Sequence, residues 1–325
     1  MFKNYFKDTS MIDRACISLG ELCNLKCSYC HFQNEENGKL SGFNQEFNDN
    51  EMIAIANNIY HYVMENDVPI FKIGIVGAGE TLLQFEKIRT LINYVKQQQY
   101  TRLQFYTITN GTVFKKDMLD FFFENQSLIK LNISLDGYEE LHNIGRERFK
   151  DVFRGIGKYE MKFGHKPSIN CTVHQETMKC RDKLQDFLVD NQFKNITFSR
   201  LFDSHDEKLI VSAIEFRDFL KSFSNSPLQL RQLDPNNQKK YDCTMYGNLC
   251  GVGRTNIFIT KRGIYPCGRF YGNEQYNYGA FDLPLNTVEQ QMKKMKPLND
   301  GECYYDKYVV ENKDENSRVW RIALG

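Results

Sequence analysis

Three thiols fall within eight residues in CNLKCSYC, as Cys23, Cys27 and Cys30. Thiolates are soft ligands, and three on one short loop suit an iron–sulfur cubane. A cubane has four irons, so three cysteines leave one iron without a protein ligand, and catalytic metal sites keep such open positions. A zinc site completed by His31 is the alternative. It is disfavoured because His31 adjoins Cys30, and adjacent residues seldom reach one tetrahedral ion together. A second set, Cys243, Cys250, Cys267 and Cys303, supplies four ligands around a short hairpin, NIFITKRGIYPC, turning at Lys261–Gly263. Four cysteines saturate either a structural zinc or a 4Fe–4S cluster, and spacing alone does not separate the two. Cys16, Cys171 and Cys180 read as buried thiols.

The elements around these residues alternate. Strands are expected at 14–20, 71–77, 103–109, 128–136, 168–174 and 195–200. Helices are expected at 52–65, 86–98, 115–125, 147–163, 180–191 and 211–223. About six β/α units imply a parallel sheet with helices outside. Active residues then lie where strands end. Cys23, Gly79–Glu80, Asn110–Gly111 and Ser134–Asp136 occupy four successive strand ends, which predicts one shared site. The polar, proline-containing stretch SNSPLQLRQLDPNNQKKYD marks a linker. It divides residues 1–225, the α/β barrel, from residues 226–325, a small cysteine-rich domain.

CNLKCSYC matches the C-x3-C-x2-C motif of radical S-adenosylmethionine (SAM) enzymes, with the aromatic Tyr29 before the third cysteine as is common there. The resemblance implies a partial (β/α)6, TIM-like barrel, in agreement with the strand count. It implies that the open iron is chelated by the amino and carboxylate groups of SAM. An external electron donor reduces the cluster, and a 5′-deoxyadenosyl radical takes a hydrogen atom from substrate. GAGETLL (77–83) resembles the family's GGEP segment, without its proline; Gly79 and Glu80 would receive the cofactor's amino group. TNGT (109–112), with Asn110, and SLDGYEELHNIGR (134–146) are also family-like. Ser134 and Arg146 would touch the cofactor carboxylate and ribose, although Arg146 also reads as a solvated charge at a helix start. Asp136 and His142 read as orienting the loop. No acid or base is singled out.

The segment from Cys250 to Cys267 resembles the start of the SPASM extension. The later cysteine run of that extension is missing, so the shorter twitch form with one auxiliary 4Fe–4S cluster fits better. A second cluster would accept the substrate radical's electron. The implied reaction is a dehydrogenative cross-link, carbon–carbon or thioether, in a ribosomally synthesised precursor peptide. Peptide epimerisation and oxidation of a small molecule such as an aminoglycoside precursor are alternatives, and a non-catalytic metal protein is disfavoured by the strand-end motifs. The sulfatase-maturing branch is weakened by the missing cysteines. The molybdenum-cofactor branch is weakened by the C-terminal Ala323-Leu324-Gly325, which lacks paired glycines. With the motif beginning at Cys23, leader recognition would fall to a separate protein or to a groove lined by Tyr241, Tyr246, Phe270, Tyr271, Tyr276 and Tyr278, residues that otherwise read as packing.

Composition bounds the rest. The 325 residues include 25 Phe and 18 Tyr, enough for a sizeable core. With 42 Lys and Arg against 41 Asp and Glu, the net charge of +1 argues against a bulk nucleic-acid or membrane binder. No early segment reads as a signal peptide and no apolar run reaches membrane-span length, so a soluble, cytoplasmic protein is expected. Ten cysteines there favour metal ligands over disulfides.

Overall fold

The computed structural model describes residues 11–33, 46–202, 204, 206–233, 251–253 and 255–294. Among these residues nine strands form one sheet: β1 (Arg14–Ile17), β2 (Phe71–Ile75), β3 (Leu103–Thr109), β4 (Ile129–Ser134), β5 (Ser168–Val173), β6 (Asn195–Arg200), β7 (Gln229–Leu230), β8 (Asn256–Thr260) and β9 (Gly263–Tyr265). Their order is β7-β6-β5-β4-β3-β2-β1-β8-β9. Strands β1 to β7 pair in parallel, each with its neighbour in sequence. The six expected strands are present, and β7 adds to one end. At the other end β8 runs parallel to β1 and turns back into antiparallel β9. The chain is therefore an α/β protein with a partial barrel.

Parallel strands need crossovers, and helices supply them: α1 (Asp49–Glu65), α2 (Phe85–Gln97), α3 (Lys116–Glu124), α4 (Glu139–Gly145), α5 (Phe149–Phe163), α6 (Gln175–Lys179), α7 (Arg181–Asp190) and α8 (Ala213–Lys221), with α9 (Leu285–Lys294) after the hairpin. Helix α1 starts at a capping box, where Glu51 N donates to Asn48 Oδ1 and Asn48 N donates to Glu51 Oε2, both at 2.9 Å. Its buried stripe runs through Met52, Ile55, Ala56, Ile59, Tyr62 and Val63. Tyr62 can go under because its hydroxyl accepts from Ile12 N and donates to Glu289 of α9.

Alternation along the strands separates two faces. Ala15, Ile17, Ile73, Ile75, Leu103, Phe105, Ile133, Ile169 and Val173 are buried in the core shared with Ile55, Ile88, Val152, Ile156 and Leu184 of the helices. Each such side chain contributes roughly 1.5–3 kcal/mol of transfer free energy. The opposite positions, Cys16, Tyr106, Asn132, Asn170, Thr172 and Thr197, are half-buried and face the barrel lumen. Cys171 is buried as expected, whereas Cys16 and Cys180 are half-buried. Among the described residues, no helix is long and apolar enough to cross a membrane.

Candidate functional site

The cysteine loop after β1 is tied to three other strand ends. After β2, Glu80 N donates to Leu22 O at 2.8 Å. Gly79 has φ +96°, and a Cβ there would lie 2.7 Å from Leu22 O and 2.8 Å from Gly20 O. Only glycine allows this backbone so close to the loop. After β3, Asn110 Nδ2 donates to Asn24 Oδ1 at 2.8 Å, and Asn24 Nδ2 donates to Thr112 Oγ1 at 2.8 Å. After β4, Ser28 N donates to Gly145 O at 2.9 Å, and the Tyr29 ring occupies the space a Gly145 side chain would need.

The buried Glu80 carboxylate joins β2 to β3. Its oxygens accept from Thr109 Oγ1 (2.5 Å), Asn110 N (2.7 Å) and Leu82 N (2.9 Å). Burial raises its pKa, while these donors and the Arg146 charge pull it back. Where the family segment has proline, Thr81 directs its hydroxyl to Ile75 O and Ile108 O, both at 3.4 Å.

Asp136 is the junction of the far side. It is fully buried and accepts from Thr172 N at 2.8 Å, Arg146 Nε at 3.0 Å and the Tyr29 hydroxyl. Ser134 is buried at the end of β4 beside it. The expectation that Asp136 orients its surroundings agrees with this. His142 contributes too, because its Nδ1 accepts from Asp136 N at 3.2 Å. Arg146 is not a solvated charge at a helix start. It caps the C-terminus of α4, a helix the sequence reading did not expect, and its guanidinium lies 5.5 Å from the Tyr29 ring centre. Burial works against that charge, but Asp136 together with Tyr29, Cys27 and Cys30 outweighs it and holds Arg146 protonated.

Cys23, Cys27 and Cys30 are free, half-buried thiols within electrostatic reach of one another. Burial pushes Cys23 up and Cys27 to about 11, with Arg146 opposing at Cys27. Ligation must therefore displace protons, and the adjacent Arg146 favours the anionic form. Among the described residues, no group of three or more His, Cys, Asp or Glu gathers as a single metal ion would require. A cubane makes no such demand, since each cysteine binds its own iron. Three thiols, a neighbouring cation and a glycine-built loop fit the cluster and a zwitterionic ligand beside it.

Of the second set, Cys267 alone lies within the described residues; Cys243, Cys250 and Cys303 fall outside them. Cys267 packs with Cys16 and Phe32 against an apolar cluster of Ala78, Val252, Phe258, Tyr265, Phe270, Tyr271 and Tyr276. Phe270, Tyr271, Tyr276 and Tyr278 are buried among the described residues and pack in apolar clusters of the hairpin and the barrel. Tyr241 and Tyr246 lie outside the described residues.

Asn24, Thr109 and Thr112 were not singled out by sequence reasoning. Each is a small polar residue inside a motif chosen for its neighbour.

A model described as the radical SAM superfamily matches residues 17–188, more than half the chain. The chain belongs to that superfamily. Its cofactors are accordingly a 4Fe–4S cluster and SAM. A cysteine-type anaerobic sulfatase-maturating enzyme of Clostridium perfringens (strain ATCC 13124) is 26% identical over 342 residues, covering 93% of this chain and 85% of that one. Among the solved structures that share the fold are two peptide complexes. One is native anSMEcpe with bound AdoMet and Cp18Cys peptide (TM-score 0.73, 15% identity, 96% of this chain and 94% of that one). The other is Streptococcus suis SuiB bound to precursor peptide SuiA (TM-score 0.67, 17% identity, 94% and 74%). This chain is a radical SAM enzyme, similar along most of its length to a sulfatase-maturating enzyme.

Proposed function

We propose that this radical SAM enzyme installs a dehydrogenative cross-link, carbon–carbon or thioether, in a ribosomally synthesised peptide. Residues 226–325 form its twitch-type unit, in which Cys243, Cys250, Cys267 and Cys303 hold one auxiliary 4Fe–4S cluster that takes the second electron. The observation that carries this reading is the contact between the two cysteine segments. Phe32, two residues past Cys30, lies against Gly268, next to Cys267. The Tyr271 hydroxyl, four residues past Cys267, donates to Glu21, two residues before Cys23. A second redox centre at Cys267 would thus adjoin the first, as removal of a second electron requires. The peptide complexes of anSMEcpe and SuiB support a peptide substrate.

When bound, the cluster and SAM supply the electron and the carbon radical that removes hydrogen from substrate. The chain's own residues bind and orient. Cys23, Cys27 and Cys30 hold the cluster. Gly79, Glu80 and Asn110 form the face that receives the cofactor's ammonium, while Ser134 and Arg146 serve its carboxylate and ribose. Tyr29, anchored by Asp136, fixes the loop between them. An external donor supplies the first electron.

A second reading, maturation of a sulfatase polypeptide, is favoured by the 93% coverage of this chain in the Clostridium perfringens comparison. Anaerobic co-expression with a short peptide encoded beside the gene, followed by intact mass, tests the first. Loss of two hydrogens supports the cross-link. Deuterium uptake from heavy water without that loss would replace it with epimerisation. An unmodified peptide alongside modification of a cysteine-containing sulfatase peptide would select the second reading.

A further inference from the structure

One row of the sheet carries a pair of groups that the functions above leave unused. Cys16 on β1 is in register with Gly74 on β2, and Gly74 with Tyr106 on β3. A Cβ on Gly74 would lie 2.5 Å from both Cζ and Oη of Tyr106. The ring therefore lies flat across the space that glycine leaves, and its hydroxyl reaches Cys16 Sγ at 3.6 Å on the far side. Any side chain at residue 74 would separate them. Ala15, Ile17 and Phe105 are packed against the helices, so alternation turns Cys16 and Tyr106 into the lumen, where both are half-buried. Two residues above Cys16, Ser18 Oγ accepts from Ala78 N at 3.0 Å, in the loop that carries Gly79 and Glu80. The thiol thus sits about 7 Å along the strand from the cofactor-facing loop, at ~3.3 Å per residue.

We propose that Cys16 and Tyr106 form a hydrogen-atom donor pair that quenches carbon radicals in the lumen which do not go on to product. The idea deepens the proposed function, since it rests on radical chemistry taking place above this lumen. A thiol S–H bond is weaker than the C–H bond it would form, so Cys16 can give a hydrogen atom to a carbon radical. The radical becomes C–H and Cys16 becomes a thiyl. The thiyl takes the hydrogen atom of the Tyr106 hydroxyl, restoring S–H and leaving a phenoxyl radical. One electron from the low-potential donor that reduces the cluster, and one solvent proton, restore the phenol. Burial favours this by keeping Cys16 as S–H, since a thiolate has no hydrogen to give.

The test needs SAM alone as probe. The reconstituted full chain is incubated anaerobically in heavy water with dithionite and SAM, without peptide, and the deuterated fraction of the 5′-deoxyadenosine formed is read by mass spectrometry. Wild type is expected to give mainly singly deuterated product, because the Cys16 hydrogen exchanges with solvent. Cys16→Ser keeps size and polarity but replaces the weak bond with a strong O–H. It and Cys16→Ala should both lower the deuterated fraction several-fold, with Tyr106→Phe intermediate. The fraction is a ratio, so a lower yield does not mask it. Undeuterated product from wild type, or an unchanged fraction in both Cys16 variants, overturns the proposal. A second readout needs no cofactor: in the cluster-free chain, the pH midpoint of Cys16 alkylation should rise in Tyr106→Phe, and an unmoved midpoint removes the pair. The cross-link is judged separately by peptide mass, so either idea can fail while the other stands.

Discussion

The two cysteine segments meet the same barrel in different ways. The Cys23–Cys30 loop is held by directional polar contacts to three strand ends, through Leu22, Asn24, Ser28 and Tyr29. The Cys267 turn packs through aromatic side chains, with the Tyr271–Glu21 contact among its polar links to the first loop. Hydrogen bonds fix position and orientation, whereas apolar burial fixes proximity. A loop that must present one open iron to a ligand needs the first kind of support. A turn whose role is to sit close to it needs only the second.

The largest contrast should come from the ligands. Cys27→Ala is expected to abolish the primary cluster and bring 5′-deoxyadenosine formation to background. Cys267→Ala should reduce it far less while stopping loss of hydrogen from the peptide. Iron content, the spectrum of the reduced cluster and both products measure this, and equal losses would erase the distinction between the segments.

Asp136→Ala comes next. It leaves Arg146 without its carboxylate and Tyr29 without its acceptor. Removing one partner of a buried pair costs about 3–5 kcal/mol. Because Arg146 keeps 17% of its side chain exposed, the lower end, about 3 kcal/mol, is expected in chemical denaturation. SAM affinity, measured by calorimetry on the loaded enzyme, should fall as well. Gly145→Ala should follow, costing about 1–3 kcal/mol for overpacking against Tyr29. It should also lower SAM cleavage by up to ~10²-fold through displacement of the cluster loop. An unchanged cleavage rate would show that the loop tolerates movement.

Tyr271→Phe removes one hydrogen bond from the aromatic side, an expected loss of about 1 kcal/mol. The melting temperature should drop slightly with SAM cleavage retained. The smallest effect is on pH. Burial holds His142 and His174 neutral, below the ordinary histidine value. As pH falls, an unfolded chain takes up these protons first, so stability is full above about pH 6.5 and declines beneath it. The fall in melting temperature of the cluster-free chain between neutral and mildly acid pH should be smaller in His142→Asn than in wild type.

Much of this was legible because its signals are local. Cys23, Cys27 and Cys30 lie on one loop, and the strand-end residues Glu80, Asn110, Ser134 and Asp136 were placed by counting strands. Helix α4 was missed because its seven residues, Glu139–Gly145, are too few to show a helical period and lie inside the SLDGYEELHNIGR motif. The aromatic residues 270–278 carried no sign of which side they would face. Whether they lined a groove or packed a hairpin depended on β8 joining β1, a pairing between residues some 240 apart in sequence.

The sequence by itself determined the chemistry on offer: a three-thiolate loop, a parallel α/β frame and motifs at its strand ends. Periodicity and spacing encode these, because each is a property of neighbouring residues. Tertiary structure alone decided which groups meet. It set Arg146 on Asp136, Asn24 on Asn110, Phe32 on Gly268, and Tyr106 across Gly74 onto Cys16. Those meetings depend on strand register and close approach, which arise only when the whole sheet is assembled.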